Sequence, residues 1–218
     1  MQTYLYFFSI LILVSAFMLV SNKRVNGYVR TFRLQSILIA LCAGMLGTES
    51  LLNGKGFELV IVCILTIAVK VIIIPRLLKS TIKKVEYKVE KDFFLNIPVS
   101  IIICCGIFLL TYFMVTRIDG MDNTDTVVYL VNSISVVLIG LFFMISRKKA
   151  IGQIIGFLLI ENGIFMAAIL ATRGIPMIIE LGIFLDVLTA VLIMGILVYK
   201  INENFESIDI NKLKKLRG

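Results

Sequence analysis

Histidine is absent from all 218 residues. That removes haem axial histidines, histidine-containing zinc sites and histidine proton shuttles. Cysteine is scarce: Cys42, Cys63, Cys104 and Cys105 all sit in apolar runs, with no C-x-x-C spacing. Zinc and iron–sulfur centres need thiolates converging at tight spacing, so these four read as small buried hydrophobes. Neither G-x-x-x-x-G-K-[ST] nor G-x-G-x-x-G occurs, and nucleotide binding has no support. Charged residues make up only 17% of the chain, against 59% hydrophobic residues and a mean hydropathy of +1.01. A soluble domain of this size is nearer half apolar. The chain therefore reads as an all-α polytopic membrane protein, a single helical unit.

A helix needs about 20 apolar residues to cross the hydrocarbon, and seven such spans are expected. They cover 3–21, 34–52, 58–78, 93–116, 125–145, 151–172 and 177–199. The first lacks a basic leading region and a small-x-small cleavage site, so it is expected to be a retained helix rather than a signal peptide.

The net charge of +8 is not a nucleic-acid footprint, because the basic residues sit in short loops between spans. Lys23, Arg24, Arg30 and Arg33 follow the first span, and Arg76, Lys79, Lys83, Lys84, Lys88 and Lys91 follow the third. Arg147, Lys148 and Lys149 follow the fifth, and Lys200, Lys212, Lys214, Lys215 and Arg217 follow the seventh. These eighteen face Lys55, Arg117 and Arg173 on the other side, which puts the N-terminus outside and the C-terminus in the cytoplasm. The loop after the third span carries Ile82, Val85, Val89 and Phe93 at helical spacing among charges. It reads as a solvated connector, an interfacial amphipathic helix or a dock for a peripheral partner.

Several ionisable residues inside the expected spans are candidates for function. Glu161 and Asp186 each sit nine residues in from Gly152 and Met177, the starts of two antiparallel helices. Both fall near the bilayer midplane, where a charge costs about 2.5–3.5 kcal/mol on an insertion scale. Lys70 lies within the third span, five residues before Pro75, which removes a helix hydrogen bond. Two readings stand for it: a flexible stem reaching the cytoplasmic surface, or the basic partner in a relay of alternating acids and bases. Glu180, a turn inside the outer boundary, is a candidate outer gate, and Glu49 is expected at the interface.

At 100° per residue Gly152, Gly156 and Gly163 fall within about 40° of one another, a flat stripe for close helix approach. Glu161 points roughly 140–160° away from it, toward a different helix or a partner subunit. A protonated Glu161 bonded to a neighbouring helix for structure alone is the competing reading. Thr189 shares the face of Asp186. Asn96, Ser100, Asn132, Ser133 and Ser135 are expected to serve as interhelical hydrogen-bond glue.

From Thr126 onward the chain resembles the K subunit of complex I, the proton-pumping NADH:quinone oxidoreductase, and its antiporter relatives. The shared pattern is a basic turn (Arg147–Lys149), G-x-x-x-x-E-N from Gly156 to Asn162, a mid-membrane acid in the next helix and a charged tail. The whole chain, with its extra N-terminal helices, the run AVKVIIIPRLL and the ending ESIDINKLKKLRG, more closely resembles the E component of formate-hydrogenlyase-type membrane hydrogenases. The resemblance divides the chain into an N-terminal four-helix segment (1–124), a three-helix K-like segment (125–200) and a cytoplasmic tail (201–218). It implies a membrane-arm subunit coupling redox chemistry in partner subunits to proton or sodium movement, in the cytoplasmic membrane of a prokaryote. Nickel–iron and iron–sulfur centres would belong to peripheral hydrogenase subunits, with none in this chain, and antiporter-like subunits would flank it. Asp186 falls where the K subunit has its third-helix acid. Glu161 lies one turn beyond the family's second-helix acid, whose aligned position is Leu158.

The expectation is therefore an ion path along Lys70, Glu161 and Asp186, with Glu180 at its outer end. A subunit of a multi-subunit cation/proton antiporter and a passive membrane scaffold are the alternatives.

Overall fold

A computed structural model describes residues 2–52, 54, 57–84, 95–118, 124–148 and 150–172. Every element among them is a helix, the form in which a chain satisfies its backbone polar groups inside lipid. The helices are α1 (Gln2–Ser21), α2 (Val25–Leu52), α3 (Glu58–Thr66), α4 (Ile74–Lys84), α5 (Ile97–Val115), α6 (Thr124–Ser146) and α7 (Ala150–Thr172). A π-helical stretch, Ile67–Ile73, joins α3 to α4 without a break. Counting that rod once, six helices are long and apolar enough to cross a membrane. The expected seventh span at 177–199, with Glu180, Asp186 and the tail, lies outside the described residues.

Helix boundaries depart from the expected spans where polar residues continue a helix past its apolar run. The second helix begins at Val25 rather than at 34, because Gly27 and Tyr28 donate to the Arg24 carbonyl and open it early. Arg30 and Arg33 thus stand exposed on helix rather than in a loop. Likewise α4 runs on to Lys84 and buries Ile82 against the bundle. Val85, Val89 and Phe93 lie outside the described residues.

The tightest contact is between α6 and α7. A Cβ on Gly156 would lie 2.7–2.8 Å from Met144 backbone and Cβ atoms, and one on Gly163 would lie 2.9 Å from the Val137 nitrogen. Gly140 on α6 meets Ile160 of α7 equally closely, at 2.9 Å. Both helices therefore give up side chains where they touch, so that backbones approach directly. Gly152, at the start of α7, is buried as well.

Helix α1 packs between α2 and α6, α2 lies against α7 and the α3–π–α4 rod, and α5 lies against α6 and α1. Asn132 of α6 donates to Ser9 of α1 at 3.0 Å, both buried. That is the interhelical role expected of Asn132. Ser100 and Ser133 instead bond back to Asn96 and Tyr129 carbonyls of their own turns. A serine hydroxyl reaches its own helix at i−4 more readily than a neighbour.

Arg147 is also not the solvated loop residue its basic run implied. It is buried, donates to the Val20 carbonyl at 3.0 Å and lies over the rings of Phe143 and Tyr28. Those rings meet edge to face at 5.2 Å. A guanidinium so placed satisfies a terminal carbonyl of α1 and opposes its negative end.

Candidate functional site

Lys70 occupies the π-helical stretch, halfway along the rod's apolar span from Leu59 to Ser80. A π turn adds a residue relative to α periodicity and recurs at functional sites. It closes where the Ile74 nitrogen donates to the Val69 carbonyl, one residue before Pro75, whose missing N–H makes an interruption cheap here. The Lys70 side chain does not run along the helix toward the bundle's basic end. Its Nζ is fully buried and turns inward to α7, 3.4 Å from Glu161 Oε1.

Glu161 lies midway along Ile151–Leu170 and is 4% exposed. Three neighbours on α7 serve the lysine together. Glu161 supplies the charge, Asn162 Oδ1 accepts from Nζ at 3.1 Å, and the Phe165 ring lies beneath it at 5.0 Å. Positions 161, 162 and 165 share one helix face by their i+3 and i+4 spacing. This face is turned away from the Gly156–Gly163 contact with α6, so α7 packs with one side and carries charge on the other.

From α2, Gln35 accepts from Asn162 Nδ2 at 2.9 Å, and Ser36 lies 3.5 Å from the same nitrogen. Gln35 in turn donates to the Ile12 carbonyl of α1 at 3.3 Å. Four separate elements thus converge on one buried polar cluster at mid-depth. Sequence reasoning singled out Lys70 and Glu161 but missed Gln35 and Ser36. Their signal is an adjacent polar pair at the head of the expected span 34–52, in the run LQSILIALCA. Glu49 is exposed. Leu158 is fully buried among core residues.

Chemically, the site is an acid and a base held within contact distance where lipid and protein exclude water. Such a pair can exchange a proton or lend its charges to a passing cation, and it offers no cluster of soft ligands. Among the described residues no group of three or more His, Cys, Asp or Glu could hold a metal ion.

Comparison with known proteins gives the architecture its relatives. Residues 128–218 match the family model of NADH-ubiquinone/plastoquinone oxidoreductase chain 4L. The chain is 32% identical to the uncharacterized protein Rv0085 of Mycobacterium tuberculosis over 214 residues, 96% of this chain and 97% of that protein. It is 26% identical to Hydrogenase-4 component E of Escherichia coli over 149 residues, 68% of this chain and 69% of that one. This chain belongs to one family with Rv0085 and resembles hydrogenase component E, with a complex I chain 4L-like C-terminal region. The component E likeness takes in more residues than 128–218 holds, so it extends into the N-terminal half. A component E of the same name from Shigella flexneri is equally similar, 26% over 149 residues. No solved structure matches the chain. With these likenesses and its membrane-length helices it is a multi-pass membrane subunit of a complex-I-like oxidoreductase complex.

Proposed function

We propose that the chain is an ion-translocating membrane-arm subunit of a complex-I-like, membrane-bound hydrogenase or formate hydrogenlyase complex in a prokaryotic cytoplasmic membrane. It crosses seven times, with its N-terminus outside and its C-terminal tail in the cytoplasm. Antiporter-like and other membrane-arm subunits flank it, and peripheral hydrogenase subunits hold the nickel–iron and iron–sulfur centres. With no histidine, the chain does its work through carboxylates and lysine.

The observation that carries this reading is the buried Lys70–Glu161 pair, 3.4 Å apart at mid-span. Intramembrane ionisable residues are expensive, and their usual roles are ion pathways and proton relays. A buried ion pair is weak evidence of added stability, because desolvation offsets much of the Coulombic gain. An ion path gives it a use that packing does not.

The mechanism follows from the charges. When a proton reaches Glu161 the carboxylate becomes a neutral acid, and the Lys70 ammonium loses its counter-charge. The ammonium passes a proton on, the neutral amine takes the proton held by Glu161, and the restored carboxylate draws the next. Asp186, in the last expected span, takes or supplies the proton on the far side through intervening waters, and Glu180 gates the outer end. Sodium would use the same carboxylates as oxygen ligands.

The test is ion movement in proteoliposomes containing the intact complex. Glu161→Gln is expected to abolish redox-coupled ion movement and leave an assembled complex that still turns over electrons; unchanged coupling sinks the role of Glu161. Asp186→Asn is expected to behave the same way, and loss of the assembled complex would point to structure instead. A passive scaffold would keep full coupling in both variants. The component E likeness in the N-terminal half favours the hydrogenase setting over a stand-alone antiporter.

A further inference from the structure

The ion pair is one end of a longer buried hydrogen-bond chain whose remaining members cannot ionise. Lys70 Nζ donates to Asn162 Oδ1, Asn162 Nδ2 donates to Gln35 Oε1, and Gln35 Nε2 donates to the Ile12 carbonyl. Gln35 is 1% exposed, while Lys70, Ser36 and Asn162 are fully buried.

The direction of this chain is set from its far end. A backbone carbonyl can only accept, so Ile12 turns the Gln35 NH2 group toward α1. That leaves Gln35 Oε1 facing α7, where it takes a donor, and the Asn162 NH2 group is the donor within reach. The remaining atom of Asn162, its carbonyl oxygen, is thereby aimed at Lys70. An ammonium has three donors and no acceptor, so this is the one amide orientation it tolerates. Reversing either amide would set N–H against N–H in a dry interior, where an unmatched polar group is costly.

We infer that Asn162 and Gln35 are positioning residues for the Lys70–Glu161 pair, holding the ammonium within reach of Glu161 through each change of the carboxylate's charge. The inference rests on the ion-path reading above and adds what that path requires. When Glu161 is protonated its hold on Lys70 weakens, and a lysine stem with four rotatable carbons would otherwise swing away. The Asn162 oxygen, anchored through α2 to α1, keeps Nζ in place for the next transfer. Ser36, 3.5 Å from Asn162 Nδ2, is the weaker second acceptor for that amide.

The test uses the intact complex in proteoliposomes and reads ions moved per electron, with assembly followed on native gels. Asn162→Leu keeps the branching at Cγ but offers Lys70 no oxygen. It is expected to cut the ratio about tenfold with electron turnover retained, the scale of leaving a buried charged donor one acceptor short. Asn162→Asp keeps an oxygen toward Lys70 and is expected to retain most of the coupling. A packing role gives the opposite order, because leucine is then the mild change and a second buried carboxylate the severe one. That opposite order, or no difference between the two, overturns the inference. Gln35→Met, one bond removed from the pair, is expected to lower the ratio by a smaller factor. If Asn162→Leu does not assemble, full coupling in Gln35→Met is itself sufficient to overturn the inference. Glu161→Gln, run alongside, separates the two levels. If it loses coupling while Asn162→Leu keeps it, the positioning role falls and the path stands. If Glu161→Gln keeps coupling, the path itself falls.

Discussion

A lysine halfway across a membrane has two solutions open to it, and Lys70 takes the buried, paired one. Stretching its stem to the bundle's basic end would solvate the charge without any partner. Instead Nζ is sealed against Glu161, Asn162 and the Phe165 ring. The consequence is a strong dependence of each residue on the other. Lys70→Met leaves Glu161 buried without its lysine, and breaking one side of a buried pair typically costs about 3–5 kcal/mol. Adding Glu161→Gln to Lys70→Met should recover much of that loss, because no charge is then stranded. Thermal unfolding of the single and double variants in detergent checks the order. Both residues were visible in the sequence as charges within apolar runs and as members of one expected path; their direct contact was not. Counting at 100° per residue gives a side chain's direction only while the helix stays α, and the extra residue of a π turn rotates everything beyond it.

Among the elements, α7 divides its labour by face, and its two faces differ in how legible they were. The glycines at 156 and 163 were readable as a stripe, and they lie against α6 at backbone distance. Gly140, their counterpart on α6, stands alone in a run of large apolar residues and gave no such pattern. Gly156→Ala would set a methyl 2.8 Å from the Met144 backbone. It should weaken the α6–α7 contact by about 1–3 kcal/mol, the usual scale of overpacking. Gly106→Ala on α5 has open space for the same methyl and should be neutral or slightly stabilising, as Gly→Ala is within a helix. Thermal melts of the two variants give the comparison. The charged face of α7 depends on α2, whose true start at Val25 puts Gln35 and Ser36 well inside the helix. Apolar runs report where lipid begins and not where a helix does, so this contribution was hidden.

For the molecule as a whole, the six described crossing helices follow directly from runs of apolar length, the strongest signal such a sequence carries. What the runs do not reveal is which helices meet. The N-terminal helices close over the chain 4L-like region, with α1 against α6 and α2 against α7, so one bundle holds the site. A tagged chain drawn from native membranes in mild detergent should therefore bring down a complex with it. Nickel and iron arriving with antiporter-like subunits is the expected result by mass spectrometry and metal analysis. Iron without nickel would indicate a complex-I-like dehydrogenase, and antiporter subunits without metal would overturn the hydrogenase setting.

The contact between Arg147 and the end of α1 has a bearing on how the protein is made. The guanidinium that holds the Val20 carbonyl is encoded 127 residues after it, and Asn132 follows its Ser9 partner by 123 residues. At a synthesis rate of about 5–20 residues per second, α1 waits roughly 6–25 s between leaving the ribosome and meeting its closing residue. During that interval its buried serines and last turn must be sheltered by the insertion machinery or by transient neighbours. Helix α1 is thus closed only by residues made well after it, and the bundle is finished from its late helices back to its early ones.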